Sequence, residues 1–295
     1  MSATGERPSF REALGQQKLM VLFGAYDALS ARIIEQMGGN ALFVSGFSVV
    51  GARYGVPDIG LRAFGDIAAA VRDILGATGI PALVDADDGY GDVKNVIHTV
   101  QSYERMGVSA LLLEDQRWPK RCGHMAGKAV VPIAEMAAKM RAAIGEKLNP
   151  ETMIFGRTDA RAVNGFDDAL RRADALLEAG ADALFIEAPE SMEELERIGA
   201  RYDVPLLANP LAGGKSPVLP PKDYADMGFD IVCYGITPLM AAAGAMRARI
   251  DDIQSGRFAL SEDEMSFADF KTVMDLPRWD ALDEKYGLAS APAQG

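Results

Sequence analysis

The chain reads as an α/β protein, a (β/α)8 barrel followed by additional C-terminal helices. Three observations lead there. Eight short β-rich runs alternate with longer helical patterns, several helices end at a glycine leading into the next run, and polar residues recur where each run stops. In order, the expected strands are residues 20–23, 41–45, 82–87, 110–115, 153–158, 183–187, 205–209 and 231–235. Between them lie amphipathic segments. In 167–180, Ala169, Leu170, Ala173, Leu176 and Leu177 follow the i, i+3/i+4 rule, while Asp168, Arg171, Arg172 and Glu178 fall elsewhere on the wheel. Gly107, Gly180 and Gly228 read as helix C-caps. Alternation of this kind builds a parallel sheet, and eight strands close a barrel of the TIM type. An open doubly wound sheet is the structural alternative.

The expected division is a catalytic barrel over residues 1–256 and a helical extension over 257–295. The extension carries Phe267, Phe270, Val273, Met274, Leu276, Trp279 and Leu282, which need a surface to pack on. Packing on its own barrel is the simpler reading, and a partner subunit is the other.

Composition narrows the function. With 295 residues, 49% of them hydrophobic, the chain has ample core for one barrel. A net charge of −12 argues against nucleic acid. Two cysteines cannot form a disulfide framework, so a reducing cytoplasm is the expected setting. No run reaches the roughly 18 apolar residues of a membrane span, so no membrane partner is expected.

In a barrel, residues at strand C-terminal ends converge on one mouth. Those ends supply Ser45-Gly46, Asp85, Asp87-Asp88, Glu114-Asp115-Gln116, Arg157, Asp159, Glu187, Asn209 and Thr237. Asp85 and Asp87 would share one side of a strand by the two-residue period, with Glu114 as a third oxygen donor from the next strand. Hard oxygen donors suit Mg2+, with Mn2+ second. Arg157 follows an apolar run, so its guanidinium either pairs with Glu187 or an aspartate or grips a substrate carboxylate in bidentate fashion. Asn209 can hydrogen-bond a carboxylate, or serve the turn before Pro210. Cys122 lies among Lys120, Arg121 and His124 in the irregular segment 116–131, where Gly123 and Gly127 give the mobility of a lid. Cationic neighbours lower a thiol pKa, so the motif first reads as a reactive thiol. Zinc is poorly served by one Cys and one His. Gly213-Gly214-Lys215-Ser216 fails as a phosphate loop because Asn209 stands where its first glycine belongs, and His98 reads as structural.

The hexapeptide Lys120-Arg121-Cys122-Gly123-His124-Met125, preceded by Glu114-Asp115-Gln116, resembles the signature of the isocitrate lyase/phosphoenolpyruvate mutase superfamily. Supporting pieces are 24–28, Ser45-Gly46, Asp58, Asp85-Ala86-Asp87, Arg157-Thr158-Asp159, Glu187-Ala188 and Asn209, in order over 23–286. The resemblance implies an α/β barrel, Mg2+, a mobile lid carrying the cysteine, and homotetramers that swap a C-terminal helix between subunits. It adds Asp58 to the metal group of Asp85, Asp87 and Glu114. The cysteine belongs to the lyase branch, which includes 2-methylisocitrate lyases, 2,3-dimethylmalate lyases and oxaloacetate hydrolases. Phe47 after Gly46, Phe270 where methylisocitrate lyases carry an arginine, and Trp118-Pro119 before the signature lean toward a methyl-substituted malate.

The implied reaction cleaves a C–C bond of a 2-hydroxy di- or tricarboxylate. Arg157 stabilises the oxygen at C2, and Cys122 acts as general acid. His124 and Tyr26 complete the catalytic set, Tyr26 being one of several candidate bases. Ser45, Gly46, Lys120, Arg121, Gly123, Glu187, Asn209 and Thr237 would bind substrate.

Overall fold

The computed structural model describes residues 7–257 and 264–287. Eight parallel strands, β1 (Met20–Ala25), β2 (Leu42–Val44), β3 (Ala82–Asp85), β4 (Ala110–Glu114), β5 (Met153–Thr158), β6 (Ala183–Ile186), β7 (Leu207–Ala208) and β8 (Ile231–Tyr234), run in the order β6-β5-β4-β3-β2-β1-β8-β7. A parallel bridge between Leu184 and Leu206 joins β6 to the approach of β7, so the sheet closes on itself. The closed (β/α)8 barrel expected from the sequence is the observed fold. β7 is shorter than the expected 205–209. Pro205 and Pro210 bracket it, and proline lacks the N–H that a ladder needs.

The two-residue strand period splits the apolar residues into two layers. Met20, Leu22, Leu83, Leu112, Phe155, Phe185, Leu207, Ile231 and Cys233 fill the barrel interior. Their neighbours Val44, Val84, Leu111, Leu113, Ile154, Leu184 and Val232 face the helices outside. The lower end is plugged by helix Phe10–Gly15, whose Phe10 meets Phe155 edge-on at 5.8 Å between ring centroids. Ser9 and Glu12 close a capping box that starts this helix.

The chain divides into two compact units, 1–242 and 243–295. The boundary falls inside helix Thr237–Gln254, which buries no residue. The second unit contains the end of that helix together with helices Phe267–Val273 and Leu276–Tyr286. Its Phe267, Met274, Trp279 and Tyr286 are exposed apolar groups. Among the described residues no helix is long and apolar enough to cross a membrane.

Candidate active site

The interior register of the barrel builds the mouth. Two residues beyond Phe43, Leu83, Leu112, Phe155, Phe185, Leu207 and Cys233 stand Ser45, Asp85, Glu114, Arg157, Glu187, Asn209 and Gly235, on the same face of each strand. With Asp58 and the lid residues Lys120, Arg121, Cys122, Gly123 and His124, they border a cavity of about 50 Å3.

The lid is a loop whose base is stitched like a hairpin. Gln116 bridges Val130, Arg117 N–H donates to Ala129 O at 2.8 Å, and Val131 N–H donates to Asp115 O at 2.9 Å. Gln116 then holds Arg121 by both backbone groups, at 2.8 and 3.0 Å, while also donating to Glu114 Oε2 at 3.2 Å. The tip is closed over the barrel, with Cys122 N–H donating to Asp58 O at 3.2 Å. Gly123 has no room for a side chain: a β-carbon there would lie 2.2 Å from Glu187 Oε2.

Four carboxylates surround one ammonium. Lys120 Nζ lies 2.7 Å from Asp58 Oδ2 and 2.6 Å from Asp87 Oδ1, and all three side chains are buried. Asp85 accepts from Gly46 N–H at 3.4 Å and from Asp87 N–H at 3.1 Å. Asp87 does not arrive by strand alternation, because β3 ends at Asp85. A left-handed backbone at Asp87 (φ 48°) swings it round to Lys120. Burial would lower the Lys120 pKa, but Asp87, Asp85, Asp58 and Glu114 outweigh it and hold the group well above its ordinary value. Burial pushes Asp87 up to about 7 and raises Glu114, against the pull of Lys120 and Arg157. The acids are therefore short of positive charge, and Glu114 Oε1 has no hydrogen-bond partner among the described residues. An all-oxygen, charge-deficient set fits a hard divalent cation. Among the described residues no three such groups converge as direct ligands of one ion. Mg2+ suits that looser arrangement, since it keeps several of its waters.

Arg157 is saturated by acids. Its Nε lies 2.8 Å from Asp159 Oδ2 and 3.4 Å from Glu114 Oε2, its Nη2 2.9 Å from Glu187 Oε2, and its guanidinium 5.2 Å from the Phe185 ring centroid. Burial opposes its charge, yet Asp159, Glu114 and Glu187 raise it well above the ordinary value. Asp159 is held in turn by Asp115, which accepts from its N–H at 2.9 Å, from Thr158 Oγ1 at 2.7 Å and from Arg172 at 3.1 Å.

Cys122 departs from the expectation of a lowered pKa. Burial pushes the thiol up to about 11, and the help of the His124 backbone N–H and Arg157 does not offset it. The group is a neutral S–H at pH 7, an acid and not a ready nucleophile. His124 is also pressed toward its neutral form by burial, against the attraction of Glu187. Its Nε2 lies 3.5 Å from both Glu187 Oε1 and Asn209 Nδ2.

Two expected residues fall outside this cavity. Tyr26 turns into a separate surface depression with Asp27, Arg53 and Asp73, because its strand ends at Ala25 and the chain bends into helix Ala28–Gln36. Thr237 is exposed at the head of helix Thr237–Gln254, and Gly235 and Ile236 line the mouth in its place. The remaining expected residues converge. Asp87 and Gly46 do so behind the lining, through Lys120 and Asp85. Sequence reasoning missed Phe43, Leu112, Phe185, Leu207 and Cys233, all of which line the cavity. Counting two residues back from Ser45, Glu114, Glu187 and Asn209 finds the first four. It also missed the loop bearing Gly214, dismissed as a failed phosphate loop. A β-carbon there would come within 2.8 Å of His124 Nδ1. Lys215 itself only pairs with Glu190 at the surface, and His98 packs edge-on against Phe64, as a structural residue would.

A closed barrel whose mouth gathers carboxylates, a buried arginine and a lid-borne thiol is that of an enzyme acting on small anions. The chain belongs to the phosphoenolpyruvate phosphomutase family, whose sequence model matches residues 10–254, within the isocitrate lyase/phosphoenolpyruvate mutase superfamily. It is similar to the 2,3-dimethylmalate lyase of Eubacterium barkeri, 37% identical over 94% of this chain and 96% of the relative. The 2-methylisocitrate lyase of Bacillus subtilis (strain 168) is 39% identical over 80% of this chain and 77% of its own length. Among solved structures, oxaloacetate acetylhydrolase bound to 3,3-difluorooxalacetate superposes with a TM-score of 0.89 at 31% identity, covering 95% of this chain and 96% of that one. The chain is a carbon–carbon lyase of this superfamily.

Proposed function

We propose that the enzyme cleaves the C2–C3 bond of a methyl-substituted 2-hydroxy dicarboxylate such as 2,3-dimethylmalate, giving pyruvate and propanoate. The observation that carries this reading is the neutral Cys122 thiol, closed over a small cavity whose lining includes the apolar Phe43, Leu112, Phe185, Leu207 and Leu211. Such side chains accept methyl groups, and Lys120 and Arg157 are each already paired with acids.

Asp85, Asp87, Glu114 and Asp58 would hold Mg2+, which supplies Lewis acidity toward the 2-hydroxyl and C1 carboxylate of the substrate. Arg157 stabilises the oxygen at C2, and Ser45, Asn209 and His124 hold carboxylate oxygens. With Tyr26 outside the cavity, the hydroxyl proton passes to one of the lining carboxylates. The C2–C3 electron pair moves to C3 as the C2–O double bond forms. Cys122 then gives its proton to C3, yielding propanoate. The lid excludes water that would compete for that carbon.

A 2-methylisocitrate lyase, releasing pyruvate and succinate, is a second reading drawn from the relatives. Oxaloacetate hydrolysis or decarboxylation is a third, favoured by the likeness to oxaloacetate acetylhydrolase. We further propose a cytoplasmic homotetramer, its exposed apolar C-terminal helices packing on a partner subunit. Incubating the enzyme and Mg2+ with 2,3-dimethylmalate, 2-methylisocitrate and oxaloacetate, with products identified by NMR, tests the substrate. Propanoate from the first acid alone is the expected result. Succinate or oxalate as the main product overturns it.

A further inference from the structure

We propose that Lys128 is the latch that holds the Cys122 lid shut. It stands at the far end of the lid, yet its side chain is 1% exposed and turns inward to the barrel. Its Nζ lies 2.6 Å from Asp159 Oδ1, and it also donates to Gly123 O, next to Cys122. One ammonium thus ties the lid tip to the lid's own return limb and pins both to the end of β5. The anchor is rigid. Asp159 is fixed from below by Asp115 and from the side by Arg157, so it cannot follow a departing lid.

Among the described residues Asp159 is the one acid that pairs with Lys128, and it serves two cations at once. When the lid opens, Lys128 leaves and Asp159 keeps only Arg157. Closure therefore completes a buried Lys128–Asp159–Arg157 chain, and the lid carries one of its charges. Lys128 does not itself line the cavity and pairs with none of the acids around Lys120, so it acts through the lid as a positioning residue. The inference does not depend on which dicarboxylate is cleaved.

The test measures lid position directly, through the rate at which iodoacetamide alkylates Cys122 in the full-length, substrate-free protein, resolved from Cys233 by peptide mass spectrometry. Lys128→Met keeps the side chain's bulk and removes its charge. Because Arg157 still compensates Asp159, the loss is smaller than for an orphaned buried charge, and Cys122 should react about tenfold faster or more. Lys128→Arg should return the rate toward the parent value. Amide hydrogen exchange should quicken within 117–131 and stay unchanged in the barrel strands. If Lys128→Met does not fold, Lys128→Gln is read in the same way. An unchanged alkylation rate overturns the latch, as does equal acceleration in Lys128→Arg or exchange that rises throughout the strands.

Discussion

Gly123→Ala isolates lid closure from chemistry, because it adds one methyl group and removes no functional atom. The new β-carbon would sit 2.2 Å from Glu187 Oε2, 2.5 Å from its Cδ and 2.7 Å from Arg157 Nη2. Neither neighbour can retreat: both are buried, they pair with each other at 2.9 Å, and Arg157 is also held by Asp159. Carbon contacts are comfortable only beyond about 3.5 Å, so the lid tip must lift by about 1 Å or more. A displacement of about 1 Å in a catalytic group costs on the order of 10²-fold in rate. The barrel is untouched, so the melting temperature should move by no more than about 4 °C. The assay is steady-state turnover on whichever of the three acids the NMR experiment shows to be cleaved, run beside Cys122 alkylation. A fall of about 100-fold in kcat with faster alkylation is expected. Parental turnover together with slow alkylation would refute the closed-lid geometry as the active one.

The remaining predictions concern single groups. Cys122→Ser should lower turnover by about 10²- to 10⁴-fold, the range of general acid catalysis, while Mg2+-dependent pyruvate binding measured by calorimetry persists. Unchanged turnover would remove the thiol from the reaction. With the thiol raised to about 11, its alkylation should keep climbing by about tenfold per pH unit from pH 7 to 10, because the thiolate fraction is still growing throughout. A plateau near pH 8 would show a lowered pKa instead. Tyr26→Phe should escape the roughly 10²-fold or greater loss expected of a general base, since its ring faces another depression; such a loss would return Tyr26 to the site. Exhaustive chelation should abolish turnover and Mg2+ should restore it, whereas full activity in EDTA would remove the metal from the acid group.

Most of the fold was legible because it rests on local regularities. Strand period, helix wheel and glycine caps each act over a few residues, and eight repetitions of them close a barrel whichever residue ends a given strand. The mouth was legible for the same reason: Ser45, Asp85, Glu114, Arg157, Glu187 and Asn209 are each one strand step beyond an interior apolar residue. Legibility ended where the backbone turns away from the strand's direction, not at the strand's last residue, since Ser45, Glu187 and Asn209 also stand one residue past theirs. Tyr26 and Thr237 lie one and three residues past the last strand residue, where the chain has already turned toward a helix. Asp87 reaches the site only through a left-handed turn that its sequence does not announce.

Charge was misread for a different reason. Counting cations along the hexapeptide put Lys120 and Arg121 at the service of Cys122, but folding assigns Lys120 to Asp58 and Asp87, residues far away in sequence. At the sulfur burial then outweighs the His124 N–H and Arg157, and burial raises a thiol's pKa. Sequence neighbours decide which charges are available; the barrel decides which of them meet. That distinction separates the two chemistries open to this cysteine. A thiol flanked by unengaged cations and open to water would favour attack, whereas one buried under a closed lid, its lysine neighbour already paired with acids, is placed to give a proton.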